Sequence, residues 1–330
     1  MGKMLPYILI LFSDLLFASQ FLISRIYSRR NTRGLVASLA FSIGTNLSVL
    51  VYVFFLIGCR VEFSLFTVLI AMLYACISVL SSYCANAALS TVNLSLFSLF
   101  NMLGTVVLSA LFGFLIFSEE IKLGTAICIA LVVLALALGA EYRGGQKGAA
   151  KYYLACFFLN GITGTVTKLH QKPYAFVCGI TRTVNTVFGT ELSADPASFV
   201  GLGAPTDADA AFVFNNNYLW LCSFFTVVLA VIMLGAIALR SKRNTFAIFA
   251  DGKNLACMGG YGVVHGVAQM ISLFTLSLLP LSLQQPLVTG GVIAFAFIIS
   301  LLIGEKKKPK DIAAFAVACL SMAAILLNYI

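Results

Sequence analysis

Apolar residues run along this chain in blocks longer than soluble helices need, and polar positions break the blocks at regular distances. A helix crossing the hydrocarbon core of a bilayer takes about 20 mostly apolar residues. Ten segments meet that requirement, at about 4–26, 34–58, 64–88, 93–117, 122–141, 150–170, 217–240, 254–278, 282–303 and 310–329. None alternates apolar and polar residues strictly, which argues against a transmembrane β-barrel. Gly, Ser, Ala and Cys punctuate the blocks, as expected where helices pack closely inside lipid. The predicted fold class is all-α transmembrane, a ten-helix bundle. One connection stands apart. Residues 172–216, including "GTELSADPASFVGLGAPTDADA", are rich in Gly, Ala, Pro and Asp and read as a long loop without helical period. The first block has no small-residue cleavage site behind it and reads as a retained helix rather than a signal peptide.

Composition sharpens this picture. Of 330 residues, 61% are hydrophobic and 10% charged, whereas about a quarter of a soluble protein is charged. The net charge of +9 is therefore no nucleic-acid surface; in a membrane protein, Lys and Arg gather in cytoplasmic loops. The expected partners are the lipid bilayer and a small-molecule substrate, with no nucleic acid, for a monomer or homodimer in a bacterial plasma membrane. The nine cysteines form no CxxC pair and no metal-ligand spacing. They read as packing residues, so no metal or other cofactor is expected.

The charges sort by loop. Arg25, Arg29, Arg30 and Arg33 follow the first segment. Arg143, Lys147 and Lys151 lie between the fifth and sixth, and Arg240, Lys242, Arg243 and Lys253 between the seventh and eighth. Lys306, Lys307, Lys308 and Lys310 lie between the ninth and tenth. With ten spans these loops share one face. The positive-inside rule then puts that face in the cytoplasm, and both termini and the 172–216 segment outside.

A repeat is visible. "FLIFSEEIKLGTAICIALVVLALAL" (114–138) matches "SLLIGEKKKPKDIAAFAVACLSMAAIL" (300–326) when Glu119 is set on Glu305, an offset of 186 that also sets Tyr83 on Gln269. "FSDLLF" (12–17) on "FLNGIT" (158–163), offset 146, pairs Asp14 with Asn160. The chain divides into 1–145 and 146–330, five helices each. Five is odd, so the halves enter the membrane from opposite sides, the inverted repeat of many secondary transporters.

The helix–"SEEIKLG"–helix and helix–"GEKKKPK"–helix units, with "CANAALSTVNLSLFSLFNMLGTVVLSAL" (84–111) before the first, resemble the two EamA-type repeats of the drug/metabolite transporter superfamily. The resemblance spans nearly the whole chain except 172–216. It implies a ten-helix carrier whose central cavity is lined chiefly by the first, third and fourth helices with the sixth, eighth and ninth. It also implies cytoplasmic termini, opposite to the charge bias.

Polar residues deep in lipid-spanning helices face a neighbour or a wet cavity. Tyr261, His265 and Gln269 are spaced by four and share one helix face, which Ser272 continues. Gly259, Gly260, Gly262 and Gly266 beside them admit close neighbours. Tyr83, Asn86, Asn101 and Asn160 are further candidates, and Gln285 opens the ninth segment with Gln284 and Pro286. Asp14 is the only acid well inside a predicted helix. An acid in low dielectric suits proton exchange, and the small multidrug-resistance branch of the same superfamily uses an acid in its first helix. The substrate-binding candidates are Asp14, Tyr83, Asn101, Asn160, Tyr261, His265, Gln269 and Gln285, with Asp14 the proton-coupling one. Lys168 and His170 read as interfacial, with side chains reaching water. Glu119, Glu120 and Glu305 read as turn residues near the membrane surface.

The function that follows is secondary active transport of a small organic metabolite or drug by alternating access, without catalytic residues. No P-loop suggests ATP drive. The alternative is an intramembrane enzyme acting on a lipid-soluble substrate. It would need a nucleophile paired with one of two histidines, and no G-x-S-x-G or HExxH motif is present.

Overall fold

The computed structural model describes residues 5–31, 34–58, 61, 64–90, 94–117, 123–139, 150–171, 173–189, 208–241, 245–278, 281–305 and 309–326. Among these the chain forms eleven α-helices, one 3-10 helix and no strand. In chain order they are α1 (Leu5–Arg30), α2 (Leu35–Leu56), α3 (Leu65–Leu89), α4 (Leu94–Phe117), α5 (Leu123–Gly139) and α6 (Ala150–Gln171). Then come α7 (Pro173–Phe188), α8 (Ala208–Ser241), the 3-10 helix Thr245–Ala250, α9 (Gly252–Leu278), α10 (Leu281–Leu302) and α11 (Pro309–Leu326).

Local chemistry sets several ends. The Ser64 hydroxyl accepts from the Thr67 N–H at 3.3 Å and caps α3. Asp251 accepts from the Lys253 N–H at 3.0 Å ahead of α9. Gly304, at φ +71°, turns the chain out of α10, and Pro309 opens α11, where its missing N–H is not needed.

Among the described residues, four helices are long and apolar enough to cross a membrane: Leu5–Arg30, Leu35–Leu56, Leu65–Leu89 and the Phe214–Arg240 part of α8. Large apolar side chains cover the outside, and the apolar interior also encloses polar ones. Phe55, Leu123, Leu239 and Leu302 stand exposed, whereas Ser13, Asp14, Gln20 and Arg25 are buried. Large apolar side chains exposed over so much of the surface, with ionisable groups buried, suit a surrounding of lipid.

Two expectations are corrected here. The 172–216 segment is not a featureless loop: it contains α7, and α8 starts at Ala208 rather than near 217. Proline at the first position of α7 and Gly189 (φ +64°), whose N–H bonds the Asn185 carbonyl at 2.9 Å, bracket the helix. Sixteen residues fall short of the span length that the hydrophobic pattern selects for. At 34 residues, α8 is about 51 Å long. Second, Arg25, Arg29 and Arg30 do not follow the first helix. All three lie inside α1, Arg25 buried.

The main packing pairs are α4 with α6, α1 with α10, α1 with α9, α3 with α6, α2 with α9 and α3 with α8. Also paired are α2 with α8, α4 with α10 and α5 with α11. Small residues permit the closest of these. A Cβ added at Gly104 would collide with the Phe157 carbonyl of α6, one at Gly161 with the Gly104 carbonyl, and one at Gly291 with the Asp14 carboxylate. At Gly262 it would meet the Thr45 carbonyl and Ser48 of α2.

One end of the bundle is tied by polar contacts. The Arg25 guanidinium pairs with Glu305, just beyond α10, both side chains nearly fully buried. Glu305 also accepts from the Leu94 N–H, at 3.2 Å, at the start of α4. Arg30 reaches Asp251 at 2.7 Å, and Asn31 donates to Asn254 at 3.1 Å. The end of α1, the starts of α4 and α9 and the end of α10 therefore meet.

Candidate functional site

These packings leave a cavity of about 300 Å³ at the centre, walled by α1–α4, α6 and α8–α10. That lies at the small end of ligand pockets, roughly 300–1,000 Å³. Six of these helices bring most of the polar groups. Gln20 and Ser24 come from α1, Thr45 and Asn46 from α2, and Ser78, Ser81 and Asn86 from α3. Asn101 and Thr105 come from α4, Asn160 and Thr163 from α6, and Tyr261, His265 and Gln269 from α9. Phe17, Phe21, Phe97 and Tyr218 supply apolar faces.

The α9 stripe faces this cavity as its four-residue spacing predicts. His265 Nδ1 lies 2.7 Å from Gln20 Oε1. An amide oxygen only accepts, so in this orientation Nδ1 donates and carries the proton. Tyr261 stacks on the imidazole at 5.7 Å between ring centroids, and Phe17 meets it edge-on at 6.4 Å. The ring is held by three contacts from two helices.

Asn160 donates through Nδ2 to the Asn101 carbonyl at 2.6 Å and to Thr105 Oγ1 at 2.9 Å. Asn86 Oδ1 accepts from Ser28 at 2.8 Å and Ser24 at 3.4 Å. Its Nδ2 is buried on the cavity wall with no hydrogen-bond partner. Several hydroxyls turn inward on their own helices: Thr45 donates to the Phe41 carbonyl at 2.8 Å and Thr163 to that of Leu159 at 2.8 Å. They keep their oxygens as acceptors only.

Of the predicted site residues, Asn101, Asn160, Tyr261, His265 and Gln269 come together on this wall. Asp14 is not among the lining residues. It is fully buried between α1 and α10 against Gly291, with neither carboxylate oxygen hydrogen-bonded. Tyr83 lines a separate void of about 10 Å³ with Tyr27, Ser28 and Asn86, its ring 6.1 Å from that of Tyr152. Gln285 sits in the first turns of α10; its side chain lies outside the described residues, as does that of Lys168. Glu119 and Glu120 also lie outside them.

His170 corrects its expected role. Instead of reaching water it is fully buried, with Nε2 3.2 Å from Thr67 Oγ1. It is stacked on Tyr218 at 4.1 Å and Phe214 at 4.3 Å. An imidazole offers two flat faces, and aromatic neighbours on α8 cover it where α3, α6 and α8 meet.

Sequence reasoning missed Gln20. The signal was present: Gln20, Ser24 and Ser28 recur every four residues in an otherwise apolar helix. It also missed Thr105, whose hydroxyl looks unremarkable until Asn160 is seen beside it.

No family model matches the chain, and none of the curated proteins matches it.

Proposed function

We propose that the protein is a secondary carrier of small organic molecules, built from ten membrane-spanning helices in two inverted halves and related to the drug/metabolite transporters. The observation that carries this reading is the central cavity, whose wall draws on both halves: α1–α4 from one, α6 and α8–α10 from the other. A pocket at the interface of repeats, bounded by helices from each, is where alternating access needs its substrate site.

The packing supports the repeat. Exchange α1 with α6, α2 with α8, α3 with α9, α4 with α10 and α5 with α11. The nine main packing pairs then map onto one another, although the lesser contacts of α1 with α3 and α4, and of α4 with α11, have no counterpart of like extent. The alignment of Asp14 with Asn160 gains support in the same way. Asn160 meets Thr105 and Asp14 meets Gly291; Thr105 and Gly291 are separated by the same 186 positions as Glu119 and Glu305. α7 has no counterpart and stands outside the repeat. Asp14 is the candidate proton carrier. The basic loops face the cytoplasm.

Two measurements test this. Single cysteines at Gly34, just before α2, and at Asp209, in the first turn of the corresponding helix α8, are labelled with impermeant thiol reagents in a cysteine-free background. Inverted halves put them on opposite faces; labelling from the same face removes the repeat. Counterflow in proteoliposomes then tests the carrier itself, through transient uptake of labelled solute against its unlabelled pool.

A further inference from the structure

The charges of the membrane-embedded core are kept away from the central cavity. Asp14 is sealed between α1 and α10 behind Gly291. Arg25 and Glu305 are buried but neutralise one another. Among the described residues on the cavity wall there is no Asp, Glu, Lys or Arg. What the wall offers is amides, hydroxyls and flat aromatic faces. One donor on it, Asn86 Nδ2, is more than nine-tenths buried and unpartnered. A buried amide donor left unmatched is costly, and a small turn of the Asn86 side chain would offer it to an acceptor on an occupant of the adjoining cavity.

An ion entering this cavity would shed water and meet no counter-charge, which is strongly unfavourable. A neutral molecule with acceptors and donors on its edge would meet complementary amides, and a planar apolar face would lie against the aromatic rings of the wall, Phe17 and Tyr261 among them. Aromatic faces favour stacked bases, and Asn and Gln amides match base edges, where donor and acceptor stand side by side. We infer that the transported substrate is an uncharged, flat, hydrogen-bonding molecule of nucleobase or nucleoside size. This deepens the carrier reading and rests on it for the word "transported" only.

The test is equilibrium binding to the purified full chain of adenosine and uridine, with adenosine 5′-monophosphate and tetraphenylphosphonium as anionic and cationic comparators. The expected result is saturable binding of a neutral probe at or below about 1 mM, with both charged probes at least about tenfold weaker. Asn86→Asp keeps the acceptor for Ser24 and Ser28 but replaces the Nδ2 donor with a charge. It should weaken the neutral probe about tenfold or more, and Gln269→Glu serves if that variant fails to fold. A charged probe binding within tenfold of the neutral ones, or no binding of either neutral probe, overturns the inference. Counterflow separates the two readings. Adenosine bound but never exchanged across the vesicle removes the carrier and leaves the ligand class standing. Counterflow of a charged probe alone does the reverse.

Discussion

Arg25 and Glu305 stand 280 positions apart in sequence and form an ion pair whose side chains are only 4% and 5% exposed. The pair links α1 to the end of α10, and the Leu94 N–H brings in α4. Removing one partner strands the other charge, at a cost of about 3–5 kcal/mol. Arg25→Met and Glu305→Leu are each expected to lower the unfolding midpoint in detergent sharply. The double variant should recover much of the loss. A double variant as damaged as the sum of the singles would show that the two residues are not coupled.

Gly104 and Gly161 hold α4 and α6 at a separation that no side chain fits. Gly104→Ala forces a Cβ onto the Phe157 backbone and is expected to destabilise by about 1–3 kcal/mol. Gly259, on α9, has nothing within 4 Å of an added Cβ. Gly259→Ala should be neutral or stabilising by up to about 1 kcal/mol through helix propensity. Thermal unfolding of the two variants side by side checks the contrast.

Asp14 lies against Gly291 with no hydrogen-bonding neighbour. Asp14→Asn preserves shape and removes the exchangeable proton. If Asp14 couples transport to protons, the variant is expected to exchange solute by counterflow yet lose uphill uptake driven by a pH gradient. Retained pH-driven uptake would take Asp14 out of the coupling mechanism.

Asp251 caps α9 in contact with water. The Lys253 N–H, then Arg30, holds its carboxyl below the ordinary value of 3.8. A depressed acid favours the folded state above its ordinary value, and that contribution is lost as the pH falls through the folded value. Asp251→Asn should lower stability modestly at neutral pH and flatten the fall below about pH 3.8, so that the two proteins converge in strong acid, as measured by unfolding midpoints across an acid series. Because the pair with Arg30 is exposed, added salt should shrink the difference.

Helices declared themselves in the sequence because lipid permits few alternatives. The boundaries expected for α2, α3 and α4 fall within two residues of those found. The face of α9 was legible too, since Tyr261, His265 and Gln269 repeat at helical spacing and all reach the cavity. Other features were not. A polar residue amid apolar ones reports only that it avoids lipid, and both a helix contact and a cavity satisfy that condition. Asp14 took the first and Asn101 the second. Arg25 looked like a loop charge because its partner is remote in sequence. α7 escaped because hydrophobic length detects spans and misses short helices, although Pro173 and Gly189 marked its ends.

The extent of α8 has a consequence for the surrounding lipid. A rod of about 51 Å crossing a slab whose oily layer measures about 30 Å must lean, overhang or do both. With turns to spare beyond the oily layer, α8 can sit in bilayers of differing thickness by sliding its anchorage. Reconstitution into short-chain and long-chain lipids should shift the water boundary along this one helix before the rest of the bundle responds.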